Sequence, residues 1–181
     1  MKKKFKFGVI GAGFMSTAII QGVISSNVLK PTDIIVSDVS DVALDKIKKL
    51  GVTVTKDNSV LCDKAEYVLF AVKPQAFSTV ADEIKNCKCS KYISIMAGVK
   101  KDRIKSLIGE NKFVARCMPN TPCSVKSGAV GIDFSDYTDD IDKFFIVILF
   151  SALASVVAVD ESLLGVVTGV SGSSPAYFIF S

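Results

Sequence analysis

The sequence predicts an α/β fold built on a doubly wound, mostly parallel sheet. Two observations predict it. Short apolar runs alternate with amphipathic stretches along most of the chain, and the first run, residues 5–10, ends in a glycine-rich turn that opens a helix. The runs are apolar throughout rather than alternating with polar residues, as strands covered on both faces must be.

Each element follows in order. Residues 5–10 read as a buried strand, and residues 15–24 continue at helical spacing. Residues 33–37 (DIIVS) make a second strand. Residues 39–50 make an amphipathic helix with Val42, Ile47 and Leu50 pointing inward and Gly51 as its stop. Strands are expected over 52–54, 67–72, 92–96 and 113–117, with a short helix or turn over 59–64 and helices over 77–84 and 102–108. This alternation means βαβ units with right-handed crossovers. After Pro122 the pattern loosens. Late strands over 129–134 and 155–159 flank a helix over 139–153, where Asp139 and Asp140 suit the positive end of the helix dipole. Residues 1–159 are expected to form the nucleotide-binding domain. Residues 160–181 turn helical and end inside an apolar segment, PAYFIFS. They read as the incomplete opening of a helical domain.

Composition narrows the function classes. The 181 residues are 49% hydrophobic, enough for a sizeable core. The net charge of +4 is spread over scattered lysines, with no stripe of basic and aromatic residues to suggest nucleic acid. No apolar run reaches the ~18 residues of a membrane span. The basic start at Lys2–Lys4 leads into a run broken by Lys6 and Gly8, unlike a signal peptide, so a cytoplasmic location is expected. Five cysteines (Cys62, Cys87, Cys89, Cys117 and Cys123) read as reduced thiols. Cys87 and Cys89 stand too close for a zinc knuckle. The chain has no histidine, so neither a metal site nor a Ser-His-Asp or Cys-His scheme is expected.

Five motifs carry chemistry. The first is Gly8-Val-Ile-Gly11-Ala-Gly13-Phe-Met-Ser16, placed between a strand and a helix. Gly11 permits the tight turn, Gly13 lets a pyrophosphate approach the backbone, and the helix N-terminus offers free amides. This is the fingerprint of a Rossmann-type dinucleotide-binding domain. The second is Asp38, at the end of the second strand, where an acidic residue commonly accepts from the ribose hydroxyls of the adenosine. Val39, Ser40 and Asp41 follow, with no arginine for a 2′-phosphate, which leans toward NADH over NADPH. Asp38 or Ser40 could equally cap the next helix. The third is Ala71-Val72-Lys73-Pro74-Gln75; alone, it is a strand end followed by a solvated lysine. The fourth, Arg116-Cys-Met-Pro-Asn120-Thr121-Pro122, is a stiff loop whose polar groups could orient a small substrate, or a plain turn. The fifth, residues 168–177 (TGVSGSSPAY), is a helix start able to hold an anion, or a tight passage between helices.

In this order and spacing, the AVKPQ, MPNTP and TGVSGSSPAY segments resemble pyrroline-5-carboxylate reductase, a family that makes proline by reducing a cyclic imine with NAD(P)H. The resemblance spans essentially the whole chain. It covers the family's Rossmann domain and the opening of its helical dimerisation domain. It implies that Gly11, Ala12, Gly13, Phe14 and Met15 hold the pyrophosphate, and Ser37 and Asp38 the adenosine ribose. Asn58 matches a cofactor position. Ala71, Val72, Lys73, Pro74, Met96 and Ala97 would line the nicotinamide side. Asn120, Thr121 and Glu161 would face the substrate, 1-pyrroline-5-carboxylate. Ser16 and Ser174 stand where the family often has glycine. The implied step is hydride transfer from nicotinamide C4 to the carbon of the ring C=N. A protonated imine is already electrophilic, so no histidine acid is required. The full-length family member is expected to be a homo-oligomer. The missing helical region would supply substrate contacts, so cofactor binding without turnover is one expected behaviour of the chain. Two other readings remain open here: another small imine or ketone reductase, such as a coenzyme F420-linked one, and a module that senses nicotinamide redox state without catalysis.

Overall fold

The computed structural model describes residues 4–119 and 128–166. Within them run β1 (Phe5–Ile10), α1 (Phe14–Ser25), β2 (Ile34–Ser37), α2 (Asp41–Lys48), β3 (Thr53–Thr55), α3 (Asn58–Lys64), β4 (Ala65–Phe70), α4 (Phe77–Ile84), β5 (Lys91–Ser94), α5 (Lys101–Ile108), β6 (Phe113–Pro119), β7 (Gly128–Asp133), α6 (Asp140–Ser151) and β8 (Ala154–Ala158). The described strands form one eight-stranded sheet in the order β3-β2-β1-β4-β5-β6-β7-β8.

β1 pairs in parallel with both β2 and β4. Chain order moves outward from β1 to β3, then returns to the other side of β1 as β4. The two crossovers on either side of β1 therefore diverge, and a crevice opens at the carboxyl ends of β1 and β4. Parallel pairing continues to β6. β7 then runs antiparallel to β6, with β8 parallel to β7.

Alternation along each strand feeds two cores. Phe7 and Val9 of β1 face a layer containing Ile19, Ile20 and Val23 of α1 and Ile146, Leu149 and Phe150 of α6. Ile10, one residue out of phase, faces the opposite layer with Leu61 of α3, Phe77 and Ile84 of α4, and Ile104 of α5. Gly8 points the same way as Ile10. A methyl group there would lie 2.7 Å from Leu61 Cδ2 and 2.8 Å from Ala65 Cβ, so its missing side chain is what lets α3 lie close to β1.

Several boundaries differ from expectation. α2 begins at Asp41, because the Ser40 hydroxyl caps it by accepting from Ala43 N at 3.3 Å. That phase buries Leu44 and Ile47, while Val42, expected inside, is 78% exposed. β4 begins at Ala65, two residues before expected, because Ala65 is in register with Phe5. Asp139 caps α6 through Ile141 N rather than lying in its first turn. Among the described residues, no helix is long and apolar enough to cross a membrane. Residues 167–181, with the TGVSGSSPAY segment, lie outside the described residues.

Candidate dinucleotide-binding crevice

The glycine turn is held across the switch point by its neighbours. Gly11 N donates to Ser37 O at 2.8 Å, and Ala71 N donates to Ile10 O at 2.9 Å. Gly11 has φ of +105°, and a methyl group on it would lie 2.6 Å from the Ala71 carbonyl oxygen. Glycine is therefore required there by the protein itself. Gly13 differs. Its backbone is extended, at φ −80° and ψ −169°, a conformation open to any residue. A methyl group on it would meet nothing within 4 Å. The protein leaves that space open at the head of α1. No side chain caps α1, so its first amides have no partner of that kind. Ser16, in the third glycine position, is 1% exposed and donates its hydroxyl to Gly13 O at 3.2 Å. A small residue suffices for the packing.

Asp38 reaches over the turn. Its Oδ2 accepts from Ala12 N at 2.7 Å, and its Oδ1 accepts from Ser40 N at 2.8 Å. The two readings left open for Asp38 and Ser40 separate here. Ser40 is the helix cap, while Asp38 braces the glycine turn and stands at the end of β2. Behind it, buried Ser37 donates its hydroxyl to Asn58 Oδ1. Asn58 Nδ2 then donates to Glu83 Oε2 at 2.6 Å. Asn58 and Glu83 line a pocket of about 640 Å³ with Thr55, Lys56, Asp57 and Ser59. Asn58 is thus tied to the end of β2, though it comes from α3.

On the other side of β1 lies an apolar cavity of about 330 Å³, lined by Met15, Ala71, Val72, Ile95, Met96, Ala97, Met118 and Pro119. Five of the sequence-derived positions meet in it. Ile95, Met118 and Pro119 were not singled out as ligand contacts. Met118 and Pro119 belong to the motif read as a substrate loop, and a strand extended to Pro119 brings them in. None of the eight lining side chains ionises. Phe14 is 74% exposed beside the turn. Lys73 and Pro74 are exposed at the start of a 3-10 turn and are not among the cavity's lining residues.

Glu161 also lies off the cavity wall. Its Oε1 accepts from Lys101 N at 2.7 Å and from Arg116 Nη1 at 3.0 Å. Asn120 and Thr121 lie outside the described residues. Cys62, Cys87, Cys89 and Cys117 are buried, and burial pushes the thiols of Cys62, Cys87 and Cys117 above the ordinary range, away from nucleophile chemistry. Cys123 lies outside the described residues.

The crevice thus joins an uncapped helix head, an acidic strand end and an apolar pocket at the carboxyl ends of the central strands. The family described as NADP oxidoreductase coenzyme F420-dependent matches residues 6–98, the segment that builds most of this crevice. A pyrroline-5-carboxylate reductase of Methanosarcina acetivorans is 39% identical over 178 residues, covering 97% of this chain and 66% of that protein. The solved structure of a pyrroline-5-carboxylate reductase from Coxiella burnetii matches with a TM-score of 0.86 at 31% identity, over 93% of this chain and 64% of that one. The Plasmodium falciparum pyrroline carboxylate reductase, solved with NADP bound, shares the fold at a TM-score of 0.81 and 24% identity, over 95% of this chain and 64% of that one. The chain therefore spans just under two thirds of the length of these relatives. It belongs to the family described as NADP oxidoreductase coenzyme F420-dependent and is a homologue of the pyrroline-5-carboxylate reductases.

Proposed function

We propose that this chain binds a nicotinamide dinucleotide along the crevice and serves the reduction of 1-pyrroline-5-carboxylate to L-proline, the last step of proline biosynthesis. The observation that carries the first half is the contrast at the glycine turn. Gly11 is required by contacts inside the protein, whereas Gly13, at the head of α1, faces open space and is not required by any such contact. The amides at the head of α1 would face the diphosphate. Ser37, Asp38 and Asn58 would stand at the adenosine ribose, and Ala71 to Pro74, Met96 and Ala97 at the nicotinamide. In this division residues 1–159 are the nucleotide-binding domain and residues 160–181 open a substrate domain.

The bound nicotinamide supplies the hydride. The protein's own residues orient and exclude water. The apolar wall of Met15, Val72, Met96 and Met118 offers no proton acceptor or donor to divert the reaction. Asn120, Thr121 and Glu161 are proposed for the substrate side. Asp38 places a carboxylate at the ribose with Val39, Ser40 and Asp41 after it and no arginine, so we favour NADH over NADPH. The enzyme is proposed to be a cytoplasmic homo-oligomer.

A second reading rests on the span of just under two thirds of the relatives' length: the chain binds dinucleotide without turnover. One experiment separates the readings. The chain is titrated with NADH and NADPH, then supplied with pyrroline-5-carboxylate while nicotinamide absorbance is followed. Binding with turnover supports the reductase. Binding without turnover favours the second reading. Absence of binding to either nucleotide refutes both.

A further inference from the structure

We infer that Arg116 is a positioning residue: acting through Glu161, it sets the N-terminus of α5 and with it the wall that Met96 and Ala97 give the apolar cavity. The inference rests on the dinucleotide reading above and goes beyond it, because Arg116 lies off the cavity wall.

Arg116 lies in β6, in register with Ser94 at the end of β5 on one side and with Asp133 of β7 on the other. Its side chain is 9% exposed, so its charge needs a partner inside the protein. That partner is Glu161, at 3.0 Å. The same oxygen of Glu161 also accepts from Lys101 N, the first residue of α5. The residue that normally caps such a helix, Lys100, makes no side-chain cap bond. Glu161 therefore does the capping from 60 positions away, and Arg116 holds it there.

The first residue of α5 is fixed a second time through its side chain. Lys101 Nζ lies 2.7 Å from Asp133 Oδ2 and also bonds the Ser135 hydroxyl. Arg116, Glu161, Lys101 and Asp133 thus alternate in charge around the start of α5. The loop carrying Met96 and Ala97 spans only the gap between Ser94 and Lys101. One end is pinned by strand pairing and the other by this junction. Met118 and Pro119, two and three residues past Arg116 in β6, form the facing wall of the same cavity. One arginine therefore stands behind two walls of the cavity. The adenosine half of the crevice, at β1 and β2, is built without it.

The test compares NADH with ADP-ribose, which has the adenosine and diphosphate but no nicotinamide. Both affinities are measured on the unaltered chain and on Arg116→Met, Arg116→Lys and Glu161→Gln, together with the emission spectrum of bound NADH. Arg116→Met is expected to weaken NADH by about tenfold and to shift its emission toward that of free NADH, because small misplacements of a positioning wall are costly. ADP-ribose affinity should stay within about twofold, since it does not reach that wall. Arg116→Lys, which keeps the cation, should recover most of the NADH affinity. Glu161→Gln should show the same selective loss and carries the test if Arg116→Met fails to fold. Equal weakening of both ligands, or unchanged NADH affinity and emission in folded variants, would overturn the positioning role alone. Failure of the unaltered chain to bind ADP-ribose would overturn the dinucleotide reading and this inference with it.

Discussion

At the scale of single residues, two glycines only two positions apart, Gly11 and Gly13, obey different physics. Gly11 sits at positive φ with the Ala71 carbonyl in the path of any side chain. Gly11→Ala is therefore expected to lower stability by about 1–3 kcal/mol, read as a lower urea midpoint. Gly13 has neither constraint. Gly13→Val should leave the urea midpoint nearly unchanged yet abolish NADH binding, because the side chain would stand where the diphosphate approaches. Retained NADH affinity in that variant would remove the glycine turn from the binding site. Asp38 supplies the residue-scale test of cofactor choice. Asp38→Ala combined with Val39→Arg should raise the ratio of NADPH to NADH affinity. An unaltered ratio would exclude this strand end from the choice. The glycines and Asp38 were legible in the sequence because their spacing is local. The pairing of Arg116 with Glu161 was not, because the two are 45 positions apart and meet only when β6 and the segment after β8 are assembled.

At the scale of elements, the strand and helix pattern was legible because βαβ units repeat a strong local contrast between apolar runs and amphipathic stretches. What blurred was phase. In α2 the apolar set Val42, Leu44, Ile47 and Leu50 is compatible with more than one inward face, and the Ser40 cap decides among them. The reach of β6 to Pro119 depends on pairing with Val130 of β7, a partner no local pattern reveals. Gly8 shows an element-scale use of glycine that the motif itself hides. Its role is the approach of α3 to β1, not the ligand. Gly8→Ala would press a methyl group against Ala65 Cβ, which cannot rotate away. It is expected to cost about 1–3 kcal/mol of stability, seen in thermal or urea unfolding, with NADH affinity nearly unchanged in the folded fraction.

At the scale of the whole molecule, the burial that makes the two cores also sets the response to alkali. Burial pushes the hydroxyls of Tyr92 and Tyr137 well above their ordinary range. At Tyr67 burial acts first, and the bond to Asp142 adds to it. Burial alone would lower Lys101, but its bond to Asp133 and the charges of Asp133, Asp136 and Glu161 outweigh it and hold the ammonium above its ordinary value. For the tyrosines, the unfolded chain gives up its protons near the ordinary value of 10.0 while the folded chain keeps them, so stability falls as pH rises past that point. For Lys101 the contribution is fully present below the ordinary lysine value of 10.5 and is lost as pH rises through its higher folded value. Urea midpoints measured across an alkaline series should therefore decline from about pH 10 upward, and Tyr92→Phe should flatten the decline. A midpoint that holds steady through that range would contradict the buried placement of these hydroxyls.

The same assembly of strands builds the crevice, which lies where the strand order reverses around β1. The most direct measurement is a crystal structure of the chain grown with NADH. The diphosphate is predicted at the first amides of α1 beside Gly13, with the nicotinamide in the cavity between Met15, Ala71, Met96 and Met118. A dinucleotide bound elsewhere, or a side chain filling the space beside Gly13, would contradict the account.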